Sequence, residues 1–225
     1  MFWFNVFDII GTVAFAISGA LAGMRKQLDL FGVITLSITT ASFGGLMRDI
    51  FIGKLPPTIF TNPKYVVISL ITALITFVIY PIILKTLSIK TNKFGINLIL
   101  ILDAIGLGAF TALGTEIAIS HDINNIFSVV FMGTVSGVGG GVIRDVFIRN
   151  IPLILKKEIY ALASITGATI MFFSHSLLPT MLAMYLCFIA TVSLRILSMR
   201  FQLNLPTAKI CLDELDENCT DKSWC

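Results

Sequence analysis

Seven stretches of about 20 apolar residues, separated by short polar connectors, leave this chain few ways to fold. They run roughly over 3–24, 30–53, 64–84, 94–118, 125–148, 158–175 and 177–199. In hydrocarbon only helices or closed barrels satisfy every backbone polar group, and these runs lack the strict alternation of barrel strands. The expected fold is therefore all-α and integral to a membrane. Composition agrees: at 56% hydrophobic and 13% charged residues, a soluble domain of 225 residues would have too little polar surface to stay wet. Met1 to Asp8 carry an acid and no basic cluster, so no cleavable signal peptide is expected and the first run is read as a span.

The connectors predict an orientation. With the N-terminus outside, 13 of the 16 Lys and Arg fall on the inner side, leaving Arg48, Lys54 and Lys64 outside. The expectation is a multi-pass protein of the cell membrane, N-terminus out and C-terminus in. The net charge of +3 gathers at that inner face, so no nucleic-acid partner is implied; the lipid bilayer is the partner.

The chain also repeats itself. Asp8 to Gly19 aligns with Asp103 to Gly114 at an offset of 95, and Gly44-Gly45-Leu46-Met47-Arg48-Asp49 aligns with Gly140-Gly141-Val142-Ile143-Arg144-Asp145 at 96, with Gly139 preceding. Tyr65 and Tyr160 return to 95. Each copy holds three apolar runs, and three crossings end on the opposite side, so the second copy is predicted to be inverted. The expected organisation is residues 1–90 as one three-helix repeat, 91–176 as its inverted copy, 177–205 as a seventh helix, and 206–225 as a polar, acidic tail.

The repeated motif combines glycines with charge. On a helix Gly44 and Arg48 share a face, as do Gly45 and Asp49, Gly140 and Arg144, and Gly141 and Asp145. Each glycine costs about 1 kcal/mol relative to alanine, exposes carbonyls and permits a bend, so bent second and fifth helices are expected to line a path for cations. A charge at mid-bilayer costs about 2.5–3.5 kcal/mol on insertion scales and needs a partner. Because sequence neighbours on a helix do not face each other, the partners expected are Asp8 for Arg48 and Asp103 for Arg144. The hydroxyls of Ser42 and Ser136, beside the glycines, could line the path or bond back to the helix. Gly19-x-x-x-Gly23, Gly133-x-x-x-Gly137 and Gly137-x-x-x-Gly141 read as helix-packing motifs. Glu116 is expected to be solvated at the end of its helix, and His121 and His175 fall in connectors. Cys187, Cys211, Cys219 and Cys225 fit no zinc spacing and read as free thiols. No metal site, cofactor or enzyme motif is expected.

These residues resemble a family. The twin Asp-x-x-Gly helices, the two Gly-Gly-x-x-Arg-Asp motifs and the segments arranged three, three and one look like a prokaryotic member of the trimeric intracellular cation channels. The resemblance implies a homotrimer with a pore inside each subunit, permeable to monovalent cations, K+ or Na+ and mainly K+. The bent second and fifth helices would line it, with bends at Gly44 and Gly45 and at Gly139 to Gly141. The Lys-Glu-Val motif tied to lipid binding in animal members is absent, so phosphoinositide binding is not implied. Some bacterial relatives with the same paired domain are named glycine transporters, so secondary transport of glycine by alternating access stays open. Arg48 or Arg144 would then take the carboxylate and Asp8 or Asp103 the amine. A third expectation is a scaffold whose acidic tail, around Asp213 to Glu217, recruits a partner.

Overall fold

The computed structural model describes residues 2–87, 91–156 and 159–201. The acidic tail with Cys211, Cys219 and Cys225 lies outside the described residues, as do Lys90, Lys157, Lys209 and Lys222 of the charge count. The protein is all-helical: α1 (Phe2–Arg25), α2 (Leu30–Ile52), α3 (Thr58–Thr61), α4 (Lys64–Leu87), α5 (Thr91–Ser120), α6 (Ile126–Phe147), α7 (Leu153–Lys156), α8 (Ile159–Ser174) and α9 (Thr180–Phe201). The seven long helices fall on the seven apolar runs. Six are long and apolar enough to cross a membrane, and α8, at 16 residues, is shorter. The two four-residue helices α3 and α7 lie where only connectors were expected.

The connectors set the helix ends by ordinary capping. Asp29 caps α2 by accepting the Gly32 N–H at 2.7 Å, and Asn125, at the equivalent place in the second copy, caps α6 by accepting the Phe127 N–H at 2.9 Å. Gly53 ends α2 in the left-handed region at φ 77°, its N–H returning to the Asp49 and Ile50 carbonyls.

Helices α1, α2, α5 and α6 form the centre, α1 and α6 each packing on both α2 and α5. Helix α4 leans on α1 and α2, as α8 leans on α5 and α6, and α9 closes against α5 and α8. Small residues bring the backbones together, as expected where packing rather than water exclusion drives association. Gly19 sits against the Leu36 carbonyl and Thr40, and its repeat mate Gly114 against the Met132 carbonyl and Ser136. The two halves meet at a reciprocal contact: Gly44 of α2 lies on the Ser136 carbonyl of α6, while Gly140 of α6 lies on the Thr40 carbonyl of α2. The 96-residue offset exchanges these two pairs. Phe15 and its counterpart Phe110 stack at 5.5 Å beside this crossing.

Both glycine stretches keep unbroken helical hydrogen bonding. Their evident structural effect is close approach, since a Cβ at Gly44 or Gly140 would meet a backbone oxygen that cannot move aside. Gly44→Ala and Gly140→Ala should therefore each cost about 1–3 kcal/mol by overpacking, seen as lowered melting temperatures of the detergent-purified protein. Gly45→Ala should be near neutral or slightly stabilising, because the added methyl would meet only the flexible Arg48 side chain, 3.6 Å away.

Candidate functional site

The charged residues of the two motifs assemble into two similar clusters. In the first, Arg48 donates from Nε and Nη2 to Asp49 Oδ1 at 3.0 and 2.9 Å. The other carboxylate oxygen of Asp49 accepts the Thr58 N–H at 2.7 Å, which anchors the start of α3. In the second, Arg144 Nε donates to Asp145 Oδ1 at 3.0 Å, and Asp145 Oδ2 accepts the Leu153 N–H at 3.0 Å at the start of α7. Each Arg-Asp pair thus ties the end of a long helix to a short one.

This corrects the expectation that neighbouring Arg and Asp would not meet. The spacing rule describes where Cβ atoms point, whereas a guanidinium on a long stem can fold sideways around the helix. The cross-helix partner is present as well in the second cluster: Arg144 Nη1 donates to Asp103 Oδ1 at 2.6 Å and to Ser18 Oγ at 2.7 Å. Arg144, Asp103 and Ser18 are all essentially buried, at 1%, 0% and 0% exposure. In the first cluster Asp8 lines one cavity with Arg48 and Asp49 but makes no direct ion pair with Arg48. Tyr65 lines the same cavity beside it. The position equivalent to Ser18 in the second copy is Leu113, which offers Arg48 no acceptor.

Two cavities meet these clusters. The one lined by Asp8, Thr12, Ser42, Gly45, Arg48 and Tyr65 holds about 40 Å³, room for very few waters. The other, of about 510 Å³, is lined by Ala22, Arg25, Lys26, Arg144, Asp145 and Asn150 among others. They lie at opposite ends of α1: from Thr12 to Ala22 the helix rises about 15 Å. Fully buried Phe15 occupies that interval, against Phe110 and Gly140. The glycine crossing and the phenylalanine stack therefore stand between the two cavities.

Of the other expected site residues, Ser42 lines the smaller cavity, whereas Ser136 is fully buried at the crossing with its hydroxyl unpartnered. Gly141 leaves room for its neighbours, since a Cβ there would lie 2.5 Å from the Tyr160 hydroxyl and 3.0 Å from Asp103. Gly139 faces Gly44 across the crossing. Glu116 departs from expectation: it is 6% exposed and stands 3.7 Å from His175, because the α8–α9 turn folds over the end of α5. The two tyrosines and Ser18 were not expected. Tyr65 and Tyr160 recur at the repeat offset, the signal that could have found them. Among the described residues, no three His, Cys, Asp or Glu side chains are grouped to hold a metal.

Comparison with known proteins follows the same division of the chain. The Glycine transporter family model matches residues 5–81 and again 100–176, with both boundaries displaced by 95. The UPF0126 inner membrane protein YadS of Escherichia coli (strain K12) is 35% identical over 210 residues, 92% of this chain and 96% of that protein. The chain belongs to the UPF0126 family. Another member, YvgT of Bacillus subtilis, is 34% identical over 213 residues, covering 95% of this chain and 100% of its own. Solved TRIC cation channels share the fold. One, from work on conductance through these channels, is 40% identical with a TM-score of 0.78, covering 92% of this chain and 97% of that one. A prokaryotic TRIC channel crystallised in 0.5 M KCl is 37% identical with a TM-score of 0.83, over 91% and 100% of the two chains. The trimeric intracellular cation channel orthologue of Rhodobacter sphaeroides is 28% identical with a TM-score of 0.80, over 90% and 100%.

The unequal clusters predict unequal mutants. Asp103→Asn keeps an acceptor oxygen but removes the negative charge beside a fully buried guanidinium and should cost about 3–5 kcal/mol, a large fall in melting temperature. Asp8→Asn should cost under about 1 kcal/mol, because Arg48 keeps Asp49 and the site adjoins a cavity. Equal shifts for the two variants would contradict this account.

Proposed function

We propose that this UPF0126 protein is a monovalent-cation channel, K+ foremost and Na+ also permeant, with a pore inside each subunit of a homotrimer. The carrying observation is the pair of cavities that reach the two Arg-Asp clusters near opposite ends of α1, with buried Phe15 and the glycine crossing at the level between them. Helices α2 and α6 line this path. The seven long helices span the bilayer as two inverted three-helix repeats, 1–90 and 91–176, with α9 added within 177–205. The reciprocity of the Gly44–Ser136 and Thr40–Gly140 contacts supports that inversion, because a two-fold relation exchanges partners in this way. The N-terminus faces outside and the C-terminus, with the 206–225 tail, the cytoplasm. The smaller cavity is then the outer mouth and the larger one the inner vestibule.

Conduction requires the crossing to part. Gly44 and Gly45 and Gly139 to Gly141 are where α2 and α6 bend to open it, the missing side chains leaving carbonyls to replace part of an ion's water shell. Asp8 attracts cations to the outer mouth, Ser42 offers a hydroxyl along the wall, and Ser136 does so once the crossing opens. Arg48 and Arg144, held by Asp49, Asp145 and Asp103, set the charge at each end. The likeness to TRIC channels favours conduction over glycine carriage.

Purified protein in planar bilayers should give stepwise K+ currents, and liposomes containing it should show no saturable glycine uptake. Uptake of glycine without unitary currents would overturn the channel assignment. Asp8→Asn should lower K+ conductance severalfold at low ionic strength and progressively less as salt screens the mouth.

A further inference from the structure

Helix α9 has no counterpart in the duplication, yet it supplies a side chain to the second cluster. Arg195 is 0% exposed, and neither its Nε nor its two Nη atoms have a hydrogen-bond partner. Its guanidinium lies over the ring of Tyr160, 4.7 Å from the centroid. Tyr160 is itself 1% exposed with an unpartnered hydroxyl, and it adjoins Asp103 and Gly141. Asp103 gives Oδ1 to Arg144, while its Oδ2 has no partner. Hydrogen-bonding capacity not committed to Arg144 thus runs from Asp103 through Tyr160 to Arg195.

The charges around this chain of contacts balance unevenly. Two carboxylates, Asp103 and Asp145, meet two guanidiniums, but Arg144 holds both acids and Arg195 holds none. A buried charge in an apolar bundle is tolerated only with compensation, so Arg144 could not leave Asp103 if nothing replaced it. In the first cluster the tyrosine also carries a cation, Lys64 over the Tyr65 ring at 4.6 Å, but that lysine is exposed and water can serve it. Only the second cluster keeps its extra cation dry.

We propose that Arg195 is the alternative counter-cation of Asp103. Acting through Tyr160, it holds the ring in the closed arrangement and takes over the carboxylate when Arg144 disengages, so the inner half of the path opens without stranding a bare charge. Arg195 is a positioning residue, and its effect on opening rests on the channel reading above.

Arg195→Met, neutral and of similar length, should lower the open probability of K+ currents at least tenfold with single-channel amplitude retained. Arg195→Lys should restore much of it. An open probability unchanged in Arg195→Met would overturn the proposal. A second measurement holds whether or not the protein conducts. The melting shift caused by Arg144→Met, measured in the wild-type and Arg195→Met backgrounds, should be clearly larger where Arg195 is missing, and Asp103→Asn should remove the difference. Additive shifts would overturn the exchange, and if Arg195→Met does not fold, Arg195→Gln carries the same comparison. Absence of wild-type K+ current would remove the channel assignment alone and leave the melting cycle to decide the partner exchange.

Discussion

Complete burial of Arg144 is the constraint on which the second half of the protein depends. A guanidinium in an apolar helix bundle needs its donors met on several sides, and here four elements supply them: Asp103 from α5, Ser18 from α1, Asp145 from its own helix and, through Asp145, the first turn of α7. Satisfying one side chain in this way fixes the relative positions of α1, α5 and α6. Both oxygens of Asp145 are committed, one to Arg144 and one to the Leu153 N–H, at distances that a longer acidic side chain would spoil.

The first copy of the motif shows what happens when that demand is relaxed. Leu113 replaces the hydroxyl that Ser18 provides, Asp8 lines a cavity without pairing with the guanidinium, and Arg48 is held by Asp49. The same sequence motif therefore gives a tightly locked cluster in one half and a looser one, opening on a cavity, in the other. Duplication supplied the framework and a few unmatched residues made the two ends unequal. In the channel proposed above, these two ends make one gate stiffer than the other.

How much of this was legible in the sequence depended on range. Apolar runs gave the long helices nearly residue by residue, and the repeat pointed to Asp103 and Arg144 as partners because both sit at matching depths in neighbouring helices. The contact between adjacent Arg and Asp was not legible, because helical spacing specifies Cβ directions and says little about a guanidinium at the end of a flexible stem. The short helices α3 and α7 escaped because four residues carry no periodicity; their position is set by the Asp49 and Asp145 carboxylates. Arg195 reads in sequence as one more basic residue near a helix end, and only packing shows it to be buried against Tyr160. Glu116 was misjudged for a related reason, since burial at a helix end depends on how the α8–α9 turn folds back.

The glycines illustrate a further ambiguity that sequence cannot resolve by itself. The same missing side chain that lets two backbones touch also lets them separate without leaving a hole lined by clashing groups. At Gly44 the contact is backbone against backbone, and at Gly140 the Phe15 ring joins the Thr40 carbonyl, so what holds the crossing shut is dispersion and carbonyl contact without any ion pair. The stronger interactions, the ion pairs, lie at its two ends. Parting α2 from α6 then demands little at the centre provided the charges at the ends remain paired. In the channel proposed above, control accordingly resides in the charge clusters, with the glycine crossing serving as the seal they hold in place.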